Sequence, residues 1–394
     1  MKKPAGSELI WTPDFIYLTA SIFLVSTAFY ILMPTLPVFL QEVLGAGKRE
    51  VGLIVATYTL AALLVRPFTG YALDLWGRKA FYLISIAVFA LLFALYPMAT
   101  ALVPILLLRF LHGINWGVST TAGFTLVVDF VPLSRRGRGI SYFGLAFTVA
   151  MSAGPLIGLE VMGQGRFNAL FLTATGIAAL GALIALLVRY PPFKRPDWGG
   201  FNWKYLIAAR SVPVSLNILI MTATYGGVLT FSTLYARENG MESLTGWFFS
   251  SIAVATALTR LVSGQLFDRY GPTLISLAGI LSIAAGLMLL GEAPIAGGFL
   301  LSGFLIGAGF GVVFPTFQTM ANNVVHRDRR GTANATFLTG LDLGIGLGAF
   351  LTGAFADQIG LDRTFRVSAL VALAGLLFFL LVSLPHYTRN RVDD

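Results

Sequence analysis

Four ionisable side chains stand inside stretches of this sequence that are otherwise apolar. Asp342 is closely followed in its run by Gly344, Gly346 and Gly348, Arg109 and His112 share a second run, and Glu160 lies in a third. An ionisable group surrounded by hydrocarbon is costly, so each of these positions indicates a functional site. An acid from which water is excluded favours its neutral form, and it can therefore take up a proton on one side of a barrier and release it on the other.

We predict from this that Asp342 carries a coupling proton, with Glu160 and His112 as further candidates. The alternatives are a permanently paired carboxylate for Asp342, an interfacial position for Glu160, and a packed, hydrogen-bonded imidazole for His112. We predict that Arg109 binds an anionic group or tunes a proton site. The alternative for Arg109 is a structural arginine that donates to backbone carbonyls.

Further polar and aromatic residues in these stretches are candidates for contact with a small molecule. Trp116 lies on the same helical face as Arg109 and His112. The others, in three different stretches, are Tyr30, Asn217, Tyr225, Gln318 and Asn322. The alternative for each is a hydrogen bond from one helix to another.

Enzyme and metal chemistry find little support in the composition. The chain has no cysteine and three scattered histidines, so neither a thiolate nucleophile nor a metal centre is predicted. No cofactor is predicted either. An enzyme would also need clustered catalytic groups near an interface, which the sequence does not show.

The elements that must position these residues are membrane helices. The chain of 394 residues is 56% hydrophobic and 11% charged, whereas a soluble domain carries about 25% charged residues. A span needs about 20 apolar residues. The first apolar run is too long for a signal peptide and lacks a cleavage site, so we expect it to be retained. The sequence predicts twelve spans, near 15–40, 51–73, 80–100, 102–130, 139–162, 168–189, 211–236, 245–267, 272–291, 295–323, 332–356 and 364–384.

The positive charges predict the orientation of these spans. With both termini in the cytoplasm, 18 of the 27 Lys and Arg residues fall on the inner side and six on the outer side. This split also accounts for the net charge of +9. The charge is therefore a signal of membrane orientation, and we expect the lipid bilayer and no nucleic acid among the partners.

The two halves of the chain repeat each other. A block of arginine, glycine, aspartate and glycine occurs twice, displaced by 194 positions: Arg66, Gly70, Asp74 and Gly77, then Arg260, Gly264, Asp268 and Gly271. Gly154 and Gly348 keep the same displacement. The pattern predicts a duplicated six-helix unit. A stretch rich in proline and glycine follows the sixth span, which predicts an N-terminal bundle at 1–190, a cytoplasmic linker at 191–209 and a C-terminal bundle at 210–394.

The loop after the second span carries a known family pattern. Gly70, Asp74, Gly77, Arg78 and Lys79 form G-x3-D-x2-G-R-K, which resembles the loop signature of the major facilitator superfamily. The pattern R-x3-G-x3-G that begins at Arg109 resembles the arginine motif of the family's fourth helix.

The fifth span resembles a motif of the family's antiporter branch, which correlates with export. Its pattern has an alanine where the family has its first glycine, and its residues are Ala150, Gly154, Pro155 and Gly158. Small residues at this spacing allow close helix packing in lipid, and proline adds a kink. The alternative is ordinary packing with no bearing on the direction of transport.

The resemblance implies an all-α membrane protein with twelve transmembrane helices in two pseudo-symmetric six-helix bundles. These bundles rock about a cavity lined mainly by helices one, four, seven and ten. The loop pattern is then a latch on the cytoplasmic side, in which Asp74 accepts hydrogen bonds from the start of the eleventh helix and Arg78 pairs with Asp129.

The second copy of the loop departs from the family pattern. Asp268 and Gly271 are present, but Pro272 and Thr273 replace the basic pair. The position equivalent to Asp129 is Asn323. We therefore expect the second latch to be the weaker one.

The resemblance to bacterial drug and metabolite:proton antiporters implies a function. We expect a monomer in the inner (plasma) membrane that exports a small organic solute in exchange for protons. The opposing interpretation is a proton-coupled importer or facilitator of a nutrient. A membrane-embedded enzyme or a sensor is a remote alternative, and no loop is long enough to hold a soluble signalling domain.

Overall fold

A computed structural model describes residues 9–46, 48–163, 165–193, 205–292 and 295–392 of the chain. The chain divides into two compact units, Met1–Gly139 with Ala146–Phe201 and Ile140–Leu145 with Asn202–Asp394. Residues 194–204 of the predicted linker lie outside the described residues. The predicted domain boundaries stay a prediction.

The first unit holds six long helices, except for the residues Ile140–Leu145 of the fifth helix, which are grouped with the second unit. They are α1 (Pro13–Glu42), α2 (Lys48–Trp76), α3 (Lys79–Leu95), α4 (Leu102–Phe130), α5 (Arg136–Met162) and α6 (Phe167–Leu186). α2 packs along α4, α1 packs against α6, and α3 lies against both α4 and α6.

The second unit repeats this arrangement. Its helices are α7 (Val212–Glu238), α8 (Thr245–Tyr270), α9 (Pro272–Glu292), α10 (Ala296–Asn323), α11 (Arg330–Ile359), α12 (Leu361–Phe378) and the short α13 (Leu384–Asn390). α8 packs along α10, α7 packs against α12, and α9 lies against both α10 and α12. These are the contacts of the first unit displaced by six helices, as a duplication requires.

The predicted all-α fold with twelve long helices is confirmed over the described residues. Ten of these helices, all except α2 and α5, are long and apolar enough to cross a membrane. Large apolar side chains on their outer faces are exposed, as hydrocarbon requires. The last helix runs on past the predicted end of the span near residue 384, through a π-helical turn at Phe379–Ser383, to Asn390.

Candidate functional site

Arg109 lies at the contact between α2 and α4 in the first unit. The side chain is 3% exposed, and its Cζ atom lies 4.4 Å from the ring centroid of Tyr58. Gly113, one turn further along α4, makes this contact possible, since a Cβ there would come within 3.0 Å of the Tyr58 carbonyl carbon. The Nε atom of Arg109 has no hydrogen-bond partner among the described residues.

Trp116 belongs to the same cluster. The Phe29 ring stacks between Tyr58, at a centroid distance of 4.9 Å, and Trp116, at 4.5 Å. Tyr30 is half-buried beside it, and the centroids of the Phe29 and Tyr30 rings are 5.0 Å apart. The structure therefore joins Arg109, Trp116 and Tyr30 through two rings that the sequence analysis missed. Phe29 and Tyr58 could not be singled out from the sequence, because aromatic residues are ordinary members of apolar runs.

The second unit builds the equivalent contact without an arginine. Gly303, Gly307 and Gly311 of α10 stand 194 positions after the three motif positions of α4. Each is too close to α8 to carry a side chain; a Cβ at Gly303 would lie 2.5 Å from the Ser251 hydroxyl. Sequence analysis missed this third repeated block. It shows that the helix contact does not require the charge of Arg109.

His112 has two hydrogen-bond partners inside the first unit. Its Nε2 atom lies 3.0 Å from the Phe89 carbonyl oxygen, and its Nδ1 atom lies 3.0 Å from the Tyr96 hydroxyl. A carbonyl can only accept, so Nε2–H donates and Nδ1 is left to accept from Tyr96. The imidazole is 1% exposed. These contacts are those of the packed, hydrogen-bonded alternative.

A second buried arginine, Arg66, lies two turns from Tyr58 on α2. Its guanidinium donates to the Thr120 and Thr121 hydroxyls of α4 at 3.0 and 3.2 Å. Each hydroxyl in turn donates to a carbonyl of its own helix. These hydrogen bonds from the Nη1 atom tie α2 to α4.

Three predicted cavity residues of the second unit are buried amides. Gln318 and Asn322 of α10 donate to the Oδ1 atom of Asn334 on α11, at 3.0 and 3.1 Å. Asn334 was not singled out from the sequence. Asn217 donates to the Gly375 carbonyl oxygen at 3.1 Å. In this structure all three amides join helices, which is the alternative role set against cavity lining.

Tyr225, the remaining cavity candidate, is half-buried on α7. Its ring centroid lies 4.5 Å from that of Phe310 on α10. The contact places an aromatic pair in the second unit and leaves part of the Tyr225 side chain accessible.

Asp342 is half-buried on α11. The glycines two residues before and after it, Gly340 and Gly344, press against α7; a Cβ at Gly340 would lie 2.5 Å from the Ser215 carbonyl oxygen. At about 100° per residue, Asp342 therefore lies on the face of α11 turned away from α7. Glu160 is exposed near the end of α5.

The predicted charge pair of the loop motif is present in the first unit. The Arg78 guanidinium lies 3.3 Å from the Asp129 carboxylate and 3.4 Å from that of Asp74, which is fully buried. Lys79 is exposed and Gly70 is buried. The predicted contact between Asp74 and the start of α11 stays a prediction.

The motif glycines have the same backbone role in both units. Gly77 has φ +92° and its N–H donates to Leu73, while Gly271 has φ +75° and donates to Phe267. A residue with a side chain would be strained in this left-handed conformation, so glycine is required to end α2 and α8. Gly264 is buried, like Gly70 in the first unit.

The second loop has proline and asparagine at the positions equivalent to Arg78 and Asp129. Asp268 is half-buried. Asn323 stands at the position equivalent to Asp129. Its side-chain Nδ2 atom lies 3.5 Å from the Tyr387 hydroxyl, and its backbone carbonyl accepts from the Val392 N–H at 2.8 Å. Residues of the segment that follows α12 therefore contact both the side chain and the backbone of Asn323.

This difference between the loops leads to a prediction. Asp74→Asn should slow cycling and shift the equilibrium toward inward-open states by about tenfold, because it weakens a buried charge network. Asp268→Asn is the matched control, since its loop has no counterpart of Arg78 and Asp129. The measurement is the reaction rate of a single cysteine at Thr125, buried in the C-terminal half of α4, in a chain that has no cysteine of its own. Equal, small effects in both variants would reduce the two aspartates to helix caps.

The small residues of α5 bring it close to α1. A Cβ at Gly154 would lie 2.5 Å from the Cβ of Tyr30, and one at Gly158 would lie 2.6 Å from the Ile31 carbonyl oxygen. Ala150, one turn earlier, is fully buried. The side chain of Pro155 lies outside the described part of the chain. The predicted close packing along this stripe is thus seen at both glycines.

Comparison with known proteins agrees with the repeat, the loop motif and the fold. The Major Facilitator Superfamily profile matches residues 18–348 and again residues 242–393. The chain belongs to this superfamily, and it is a transporter rather than an enzyme. An uncharacterised MFS-type transporter of Burkholderia pseudomallei is 26% identical over 356 residues, which cover 87% of this chain and 86% of that protein.

Two solved structures share the fold at low sequence identity. The human organic anion transporter MFSD10 has a TM-score of 0.83 and 16% identity, covering 94% of this chain and 99% of its own. The proton:xylose symporter XylE has a TM-score of 0.79 and 13% identity, covering 94% and 95%. At this identity the likeness establishes the fold alone.

Proposed function

We propose that this protein exports a small organic solute across the inner (plasma) membrane by alternating access, driven by proton entry. Both termini lie in the cytoplasm, and the active form is a monomer. The distribution of Lys and Arg supports this orientation. The proton gradient supplies the energy, and the two units provide the alternating access.

One observation carries the assignment of the site. The scaffold of the two units repeats, but its two intramembrane charges of opposite sign do not. Arg109 corresponds to Gly303 in the second unit, and Asp342 corresponds to Thr148 in the first. The equivalent helix contact forms with glycine in place of Arg109, so packing does not explain the arginine. Costly charges that the scaffold does not need are best explained by solute binding and coupling.

Arg109 is suited to bind the solute. Its guanidinium lies on the Tyr58 ring, and its Nε–H is unused among the described residues. A buried cation held on an aromatic face can receive a carboxylate, or another anionic group, in a charge-assisted hydrogen bond. Trp116 is half-buried and stacks on Phe29 in the same aromatic cluster, and it offers a flat apolar surface to the rest of the solute.

Export is favoured by the stripe of small residues on α5. Gly154 and Gly158 place α5 against the backbone of α1 at Tyr30 and Ile31. The resemblance of this stripe to the antiporter motif is the reason to choose export over import. Asp342 then takes up a proton on the outer side and releases it inside, in exchange for solute. Glu160, exposed at the end of α5, is the second candidate for the proton.

Direction can be tested in membrane vesicles of defined orientation. Inside-out vesicles with and without the protein are given a cytoplasmic extract and an imposed pH gradient, acidic inside. Mass spectrometry then compares the compounds trapped in each. We expect at least one organic compound to accumulate only with the protein present and only until an uncoupler is added. Accumulation in right-side-out vesicles with an inward proton gradient, and not in inside-out vesicles, would instead make the protein an importer.

A further inference from the structure

The chain segments that leave α6 and α12 occupy equivalent places in the repeat. The displacement of 194 positions relates the first residues of these helices, Phe167 and Leu361. It holds beyond their ends and pairs Phe193 with Tyr387. Each half thus carries an aromatic residue at the same distance from the start of its last helix.

In the first unit this aromatic residue covers the motif loop. The centroid of the Phe193 ring is 5.3 Å from the Cζ atom of Arg78, and its Cγ atom lies 3.1 Å from where a Cβ on Gly77 would stand. The neighbouring basic residue has a similar partner, since the Lys79 ammonium lies 5.8 Å from the Tyr190 ring centroid. Two aromatic residues of one short segment thus contact the two cations of the motif.

The Arg78 guanidinium therefore has partners of two kinds. The carboxylates of Asp129 and Asp74 lie 3.3 and 3.4 Å from its nitrogen atoms, and the centroid of the Phe193 ring lies 5.3 Å from its Cζ atom. Arg78 is 8% exposed, whereas the Phe193 side chain is 38% exposed. The ring thus shields the guanidinium from water while being partly in water itself.

The second unit has no basic residue at the two sequence positions equivalent to Arg78 and Lys79, and its aromatic residue has a different contact. Pro272 and Thr273 stand where the first unit has its basic pair. Tyr387, which is 3% exposed, reaches Asn323 through its hydroxyl at 3.5 Å. In the first unit the aromatic residue after the last helix thus contacts Arg78, and in the second unit it contacts Asn323, the counterpart of Asp129. Where the guanidinium exists the ring covers it, and where the guanidinium is missing the hydroxyl contacts the amide directly.

We propose that Phe193 is a positioning residue for Arg78. The face of the Phe193 ring holds the guanidinium in contact with Asp129. A long arginine side chain has many rotamers, and a cation–π contact on one side removes those that turn away from the carboxylate. The proposal rests on the latch function proposed for Arg78. It makes the first residues of the linker part of that latch.

The test is a double-mutant cycle read by hydrogen–deuterium exchange in the purified full-length protein. The exchange rates of peptides covering residues 70–79 and 125–131 report the opening of the charge pair. Phe193→Ala should raise these rates about twofold to fivefold, the range expected for a cation–π contact at an exposed site. Phe193→Tyr, which keeps the ring face, should behave as wild type, while Phe193→Leu should behave as Phe193→Ala.

The second arm uses an Arg78→Gln background. There Phe193→Ala should add no further increase, because the ring has no guanidinium left to position. Tyr190→Ala is the matched control, since Tyr190 contacts Lys79, and its effect should be the same in both backgrounds. If Phe193→Ala itself does not fold, the comparison of the Tyr and Leu variants decides.

Two results would overturn the proposal: a Phe193→Leu protein that exchanges like wild type, or additive effects of the Phe193 and Arg78 substitutions. The first would mean that any apolar cover suffices, and the second that Phe193 acts independently of Arg78. Failure of the latch itself is a separate outcome. It would appear as unchanged solute transport in Arg78→Gln, whatever the exchange cycle shows.

Discussion

Asp342→Asn is expected to abolish accumulation of solute against its gradient while leaving solute exchange in place. Asparagine resembles the protonated acid in shape and cannot release a proton. The variant should therefore bind solute and carry it across the membrane without moving a proton in return. The assay uses proteoliposomes and the compound identified in the vesicle experiment. A gradient of about one pH unit can drive about tenfold accumulation for one proton per solute, and we expect this ratio to fall to about one in the variant.

Glu160→Gln is the matched control for this result. It removes an acid that is exposed at the end of α5, and it should leave uphill transport near the wild-type level. Asp342→Asn protein that still concentrates solute would show that Asp342 is structural. If Glu160→Gln then failed to do so, the coupling proton would belong to Glu160.

Arg109→Ala is expected to be inactive in transport and yet folded. The second unit forms the same contact between its α8 and α10 with Gly303 at this position, so the helices should still pack. Loss of a buried charge-assisted contact with the solute costs about 2–5 kcal/mol, which corresponds to a loss of affinity of at least about 30-fold. The measurements are solute affinity and the midpoint of thermal unfolding in the same preparation. Arg109→Lys should recover little, because an ammonium cannot reproduce the planar fork of arginine.

Substitutions of Tyr58 provide the control for the surroundings of Arg109. Tyr58→Phe keeps the ring under the guanidinium and should transport nearly as well as wild type. Tyr58→Ile introduces the residue found at the equivalent position, Ile252, and should weaken transport because Arg109 loses its aromatic support. Wild-type solute affinity in Arg109→Ala protein would remove Arg109 from the binding site.

Both predictions concern the places where the two halves differ. The duplication gives each half the same helix pairs, the same turns at Gly77 and Gly271, and the same glycine contacts between neighbouring helices. Such features are explained by the scaffold. Arg109 and Asp342 break the repeat with charges that are costly in a membrane, and the ion pair of Arg78 with Asp129 is restricted to the first half. The asymmetry therefore separates candidate functional residues from structural ones.

The sequence by itself determined the class of fold and the charge pair of the first loop. A bilayer requires apolar helices of a nearly fixed length, so apolar stretches in the sequence predict long helices, and ten of the twelve that the described residues form are apolar enough to span. The repeat was visible because its spacing is constant at 194 positions. Asp74 and Arg78 were predicted to act in one latch from the family pattern, and their spacing of four residues brings them onto one side of the end of α2.

Only the tertiary structure decided which polar residues meet inside the bundles. His112 contacts Tyr96 and the Phe89 carbonyl, Gln318 meets Asn334, and Phe193 covers Arg78. Sequence periodicity gives the face of a helix on which a residue lies, since that follows from 3.6 residues per turn. It does not give the rotation of that helix about its axis or the neighbour that the face meets. In lipid the outward and inward faces of a helix can be equally apolar, so these choices depend on close packing between helices and are not encoded in the hydropathy pattern.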